Sequence, residues 1–244
     1  MRARLAASHE EARWWQVPLA GRVATLIVAF LAVAVGVSFV VVHYLLGGPT
    51  TVNFTANASG QVNVVMQVDP QAPNNASDPA WPTYMIQNPQ TGVWEHTTLF
   101  TVPAGHRVNF TIYEFDGPTP LRNNYFGKIT GTIGGVEYVN HKPVSLLDSW
   151  GQTTVAHTFA IPSLNIMVPL YATQASNLCP NSPCPTNDQK SNPYDLDQFS
   201  INAPTAAGDY RWQCFIPCGL GFLTGFGGPM QTIGYMTGEM QVVS

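Results

Sequence analysis

The run Gln61-Val62-Asn63-Val64-Val65-Met66-Gln67-Val68 sets Val62, Val64, Met66 and Val68 on one side of an extended chain, with Asn63, Val65 and Gln67 on the other. Side chains alternate with period two along a strand, so this stretch reads as a β-strand with one apolar face. The same texture spreads outward from it. Residues 51–55, 97–102 and 107–115 are strand-like, with a turn at Pro103, Ala104 and Gly105 and with Val108, Phe110 and Ile112 directed inward. Residues 71–81 read as loop, and weaker strands fall at 129–133 and 136–139. Residues 154–162, 199–203, 209–214 and 239–243 complete the set, Tyr210, Trp212 and Cys214 sharing one face. Short alternating runs broken by Gly, Pro and Asn describe an all-β sandwich or barrel. Beyond the N-terminal segment there is no helical periodicity, no internal repeat and no heptad pattern.

That N-terminal segment has a different character. Residues 23–42 carry no charge and nothing more polar than Thr25 and Ser38. Twenty residues rising 1.5 Å each span about 30 Å, the thickness of a bilayer's hydrocarbon layer. A cleaved signal peptide has a shorter apolar region that ends in small residues, whereas this one continues into Val40, Val41, Val42, His43, Tyr44 and Leu45. A retained transmembrane helix over residues 23–46 is therefore expected. Arg2, Arg4, Arg13 and Arg22 precede it, and no Lys or Arg follows until Arg107. Positive-inside bias then puts residues 1–22 in the cytoplasm and a domain of residues 50–244 outside, in a single-pass cell-membrane protein. Trp14, Trp15 and Tyr44 flank the apolar run at interfacial positions.

Composition excludes several roles. With 244 residues there is room for one anchor and one domain. Charged residues make up 10% of the chain, the net charge is -4, and the cations are three Lys and seven Arg, so no basic stripe exists for nucleic acid. No Ser/His/Asp order, phosphate loop or framed carboxylate pair supports a free-standing enzyme. Four Asn-x-Ser/Thr sequons occur, at Asn53, Asn57, Asn75 and Asn109.

The four cysteines lie in the outer domain as two pairs. Cys179 and Cys184 sit in Cys-Pro-Asn-Ser-Pro-Cys within a polar, Pro-rich loop, where a structural disulfide is the natural reading for an oxidising compartment. Cys214 and Cys218 instead follow an aromatic strand and open a Gly-rich stretch. Their spacing suits a second disulfide, a zinc half-site or a thiolate pair for a soft metal such as copper, and spacing alone does not choose.

The run Gly208-Asp209-Tyr210-Arg211-Trp212-Gln213-Cys214-Phe215-Ile216-Pro217-Cys218-Gly219-Leu220-Gly221 resembles the copper loop of cytochrome c oxidase subunit II. Upstream, Phe100-Thr101-Val102-Pro103-Ala104-Gly105 through Phe110 resembles that family's turn and following strand. Val155-Ala156-His157-Thr158-Phe159 resembles the segment with its first ligand histidine. The close, Met236-Thr237-Gly238-Glu239-Met240-Gln241-Val242-Val243, is similar to its axial methionine and last strand. The match covers the anchor and part of the outer domain, in the family's chain order.

This resemblance implies a cupredoxin-like Greek-key β-sandwich preceded by one N-terminal transmembrane helix, with insertions near residues 116–153 and 173–196. It also implies electron transfer without catalysis of its own. In the family, a domain outside the membrane accepts electrons from cytochrome c or a small copper protein and passes them to the main haem-bearing oxidase subunit of the respiratory chain. Soft sulfur and borderline nitrogen ligands suit copper in both oxidation states. Carried over by position, Cys214 and Cys218 are the thiolate ligands, His157 the first imidazole, Ile216 the carbonyl donor and Met236 the axial sulfur. Trp212 and Tyr210 are candidates to assist electron entry.

One departure changes the expected centre. Where the family carries a second histidine, four residues past the second cysteine or three before the axial methionine, this chain has Phe222 or Ile233. No histidine follows His157, and Met236 comes eighteen residues after Cys218, beyond an enlarged Gly-rich loop. His141, in the insertion before His157, and Met230 are the candidate substitutes. His106 starts the strand to Phe115, about 25 to 30 Å from its far end, where the metal is expected. His96 and His43 read as surface and interface residues. The cofactor expected is thus copper in a mononuclear or altered dinuclear site. The alternative is a copper-free structural or assembly subunit with a Cys214–Cys218 disulfide.

Overall fold

A computed structural model describes residues 18–41, 50–73, 80–119, 123–144, 154–176, 178–219 and 227–244. The chain divides into two compact units, residues 1–48 and 49–244.

Among the described residues, the first unit holds one α-helix, α1 (Leu19–Val40), which begins after Pro18. Pro lacks a backbone N–H and fits a helix start, which is why the helix opens four residues before the uncharged run. Thr25 returns its hydroxyl hydrogen to the Gly21 carbonyl at 2.9 Å, so this hydroxyl is satisfied within the helix. At 22 residues it is long and apolar enough to cross a membrane, and none of its residues is buried.

Among the described residues, the second unit holds thirteen strands. They are β1 (Thr51–Asn53), β2 (Gln61–Asp69), β3 (Thr83–Gln87), β4 (Trp94–Glu95), β5 (Leu99–Pro103), β6 (Arg107–Glu114) and β7 (Glu137–Val139). The chain continues through β8 (Lys142–Val144), β9 (Val155–Ile161), β10 (Ile166–Tyr171), β11 (Asp195–Asn202), β12 (Gly208–Gln213) and β13 (Thr237–Val243). One sheet has the order β1-β5-β13-β12-β9-β10, the other β4-β3-β2-β6-β11-β7-β8. Both are mixed: β5 runs parallel to β1 and β13, and β2 runs parallel to β6, while the other pairings are antiparallel.

The apolar alternation forms the core. Val62, Val64, Met66 and Val68 of β2 and Val108, Phe110 and Ile112 of β6 are wholly buried or nearly so, as are Phe100, Val102, Phe159, Ile201, Trp212 and Val242. Aromatic rings tie these together: Phe110 stacks on Phe199 with centroids 4.9 Å apart, and Phe159 stacks on Trp212 at 5.0 Å. This two-sheet sandwich with one apolar helix agrees with the cupredoxin-like fold expected from the sequence.

Some expectations shift. The strand expected at 129–133 reduces to a single bridge between Thr130 and Met167, because Gly131, Gly134 and Gly135 take positive φ and turn the chain. Four strands, β3, β4, β8 and β10, form where none was expected. β10 contains Pro169, which cannot donate to a ladder, and it is tolerated because β10 is an edge strand. The disulfide between Cys179 and Cys184 is present, and it packs with Phe115, Tyr113 and Tyr194 in a small satellite core.

Candidate metal centre

Three elements converge on one buried point. β9 is buried along its whole length, which carries His157 into the interior. β12 ends at Gln213, so Cys214 is the first residue after a strand that is pinned to both β13 and β9. The Cys214 N–H donates to the Met236 carbonyl at 2.9 Å, closing the mouth between the last two strands. Cys218 follows Pro217 on the next turn, and Gly219 beyond it has φ +78.

There Nδ1 of His157 lies 3.0 Å from Sγ of Cys218 and 3.8 Å from Sγ of Cys214, and the two sulfurs are 3.5 Å apart. Both cysteines are unpaired thiols. All three residues are buried, and their donor atoms lie within 4.8 Å of one another. Among the described residues, no other set of three His, Cys, Asp or Glu side chains forms such a cluster. The Ile216 carbonyl is 2.9 Å from Cys218 Sγ and 3.5 Å from Cys214 Sγ, so a fourth, oxygen donor borders the same point.

Hydrogen bonds around the thiols favour one thiolate. The backbone N–H groups of Thr158 and Ile216 each point to Cys214 Sγ at 3.4 Å. The Thr158 hydroxyl accepts from the Phe215 N–H at 2.8 Å, holding the cysteine loop against β9. Burial opposes ionisation of Cys214, but hydrogen bonds from Cys218, His157 and Thr158 hold its pKa well below the usual thiol range. Cys218 is pushed the other way by its hydrogen bond to Cys214 and by burial. The hydrogen bonding thus favours ionisation at Cys214 and retention of the proton at Cys218.

The far side of the imidazole is anchored as well. Nε2 of His157 donates to Oδ2 of Asp116 at 3.0 Å. Asp116 sits just past the end of β6, the end opposite His106, and its Oδ1 accepts from the Gly117 N–H at 2.7 Å. Burial raises the Asp116 carboxyl, yet the bonds from His157 and Gly117 hold it below the ordinary carboxylate value. Burial works against a charged His157, but the neighbouring Glu114, Asp116 and Cys214 lift its pKa well above that of ordinary histidine. With Nε2 committed to Asp116, the lone pair of Nδ1 faces the sulfurs when the ring is neutral.

The donor chemistry fits a soft or borderline metal. Two cysteine sulfurs and one imidazole nitrogen in a buried pocket suit copper or zinc and do not suit magnesium or calcium, which require oxygen cages. Met236 is fully buried just before β13, and Met230 is buried on the 3-10 turn Pro229–Gln231, whose Pro229 carbonyl accepts from the Met236 N–H at 3.0 Å. His141 lies apart from the cluster: it is exposed on the turn between β7 and β8, with φ 66. Ile233 is exposed, and Phe222 lies outside the described residues. Trp212 is enclosed between Tyr84 and Phe159, whereas Tyr210 is half-buried and donates to the Ala206 carbonyl at 3.2 Å.

Fold and site together define a β-sandwich with a buried histidine-dithiol centre. No family model and no curated protein matches the chain. Among solved structures, it is similar to rusticyanin from Thiobacillus ferrooxidans at 15% identity, covering 78% of this chain and 82% of that one, with a TM-score of 0.27. A structure of the copper protein rusticyanin is similar at 14% identity over 78% of this chain and 82% of that one, with a TM-score of 0.27. A single-residue variant of rusticyanin matches at 16% identity over 81% and 86%, with a TM-score of 0.29. At this distance these likenesses assign the chain to no family.

Proposed function

We propose that this protein is a membrane-anchored copper protein that transfers electrons, with His157, Cys214 and Cys218 as its principal ligands. The observation that carries this reading is the convergence of one imidazole nitrogen and two unpaired thiols within 4.8 Å in a buried pocket. Copper held there would supply one-electron chemistry with little change in geometry. The chain's own part is to keep water out, to present Nδ1 through the Asp116 bond, and to fix both sulfurs through the Thr158 and Ile216 amides. Met236, Met230 and the Ile216 carbonyl are the candidates for weaker donors. A single copper ion or an altered dinuclear centre are the two forms such a ligand set accommodates.

The resemblance to cytochrome c oxidase subunit II motivates the finer assignment. On that reading, helix α1 anchors the chain in the cell membrane with the sandwich outside, its electron donor is cytochrome c or a small copper protein, and its acceptor is a haem-bearing oxidase subunit. The lack of a second histidine beside the thiols among the described residues favours, as a second reading, a copper-free structural or assembly subunit with a Cys214–Cys218 disulfide.

Copper loading of the full-length protein in detergent, followed by an optical redox titration, separates the two. The redox reading predicts an intense thiolate-to-copper absorption that bleaches on reduction, returns on oxidation, and is absent from Cys218→Ser and His157→Ala. Failure of the reduced protein to retain copper against a mild chelator overturns it.

A further inference from the structure

Four sequons are spread over the outer unit, and the fold treats their asparagines unequally. Asn109 lies inside β6, where its Nδ2 donates to Gln61 Oε1 and to Asn63 Oδ1, both at 2.9 Å. Its Oδ1 accepts from Arg107 Nε at 2.9 Å and from the Ser200 hydroxyl at 2.8 Å. A substituent on that nitrogen would break a polar ladder that spans three adjacent strands. Asn53 ends β1, where its Oδ1 accepts from Thr101 Oγ1 at 2.9 Å and its neighbours Val52 and Phe54 are buried. Asn75 lies outside the described residues.

Asn57 is different. Residues 57–60 are all exposed and form the tight connection into β2, closed by the Asn57 N–H to the Gln61 carbonyl at 2.8 Å and the Gly60 N–H to the Asn57 carbonyl at 2.9 Å. The side-chain oxygen of Asn57 accepts three hydrogen bonds: from the Ser59 N–H at 3.0 Å, the Ser59 hydroxyl at 2.7 Å and the Gln61 N–H at 3.0 Å. Those bonds turn Oδ1 toward the backbone and leave Nδ2 on the outside of the turn. The sequon hydroxyl thus already contacts the asparagine it would serve, and that contact polarises the amide.

We infer that Asn57 is an N-glycosylation site, modified by an oligosaccharide carried on a lipid pyrophosphate. In the transfer, the bond from Nδ2 to the sugar's C1 forms as the bond from C1 to the pyrophosphate oxygen breaks. The lipid pyrophosphate departs and the amide nitrogen gives up one proton, so no oxidant or reductant is needed. The site rests on the outward orientation proposed above, since such donors act on the outer side of the membrane. A sugar here would project from a turn whose residues are all exposed.

The test uses protein purified from its own membranes. No Lys or Arg lies between Arg22 and Arg107, so cleavage at aromatic residues and at aspartate replaces trypsin and separates Asn57 from Asn75. The expected result is a sugar mass increment on the Asn57 peptide, lost in Asn57→Gln and Ser59→Ala, kept in Ser59→Thr, with the Asn109 peptide unmodified. In parallel, a membrane-impermeant amine reagent on intact cells reports whether Lys128, Lys142 and Lys190 face outward. Labelled lysines with a bare Asn57 overturn the inference and leave the orientation standing. Shielded lysines with a bare Asn57 overturn both.

Discussion

Asp116 Oδ2 and His157 Nε2 are joined by a hydrogen bond of 3.0 Å across 41 residues of sequence, and this bond aims the other ring nitrogen at the two sulfurs. A carboxylate behind a ligand histidine fixes the ring and makes its free nitrogen more basic. Asp116→Ala is expected to weaken copper binding by about 10- to 100-fold, read by competition with a chelator. It also removes a negative charge that favours the more oxidised metal, so the midpoint potential should rise. An unchanged affinity together with an unchanged potential would reduce Asp116 to a surface cap.

A second carboxyl controls stability through pH. Asp69 ends β2, fully buried, where its Oδ2 accepts from Gln67 at 3.1 Å and from the Ser182 hydroxyl of the disulfide loop. Burial, only partly offset by those bonds and by the Cys184 backbone, raises its pKa from 3.8 to about 7. The folded state therefore holds a proton that the unfolded state releases, and stability is fully present below 3.8 and falls as pH rises toward 7. The stability lost across that range is about 4 kcal/mol. Glu137, raised by burial and by the neighbouring Asp197, and Asp197, raised by burial and by the charge of Asp195, act in the same direction. Urea unfolding should give a stability that declines between mildly acidic and neutral pH, with a shallower decline in Asp69→Asn. A flat profile in the parent protein would refute this.

Gly238 follows the axial candidate Met236 by two residues and admits no side chain. A Cβ there would lie 2.0 Å from the Thr98 carbonyl oxygen and 2.6 Å from its Cβ. Backbone cannot swing aside as a long side chain can, so Gly238→Ala must displace β13 from β5. The expected loss is on the order of 3 kcal/mol or more, seen as a lower urea midpoint at constant slope. Because Met236, whose carbonyl accepts the closing bond from Cys214, immediately precedes β13, copper affinity should fall with it.

The strands that alternate cleanly were legible in the sequence. β6 follows the period-two pattern residue for residue and β2 does so as far as Met66, beyond which both its faces are buried. The Cys214–Cys218 loop and His157 were legible through motif order, which a resemblance preserves when overall identity is low. β10 was hidden because Pro169 argues against a strand until its edge position is known. Asp116 was hidden for a different reason. It looks like any turn residue after a strand, and its value to the site arises only when the sandwich brings the end of β6 against β9. His141 showed the converse: the insertion that carries it is near in sequence to His157, yet the tight turn between β7 and β8 leaves its ring on the surface. Local pattern reports what each strand buries, while the site depends on which strand ends meet.

The most direct test of a copper centre at His157, Cys214 and Cys218 is the metal content and thiol state of protein isolated from its own membrane without added metal. The account predicts copper in stoichiometric amount. It also predicts two reduced thiols at positions 214 and 218, shielded from alkylation until chelator and denaturant are both present. Metal-free protein in which Cys214 and Cys218 are joined, lighter by two hydrogens than the dithiol, would contradict it.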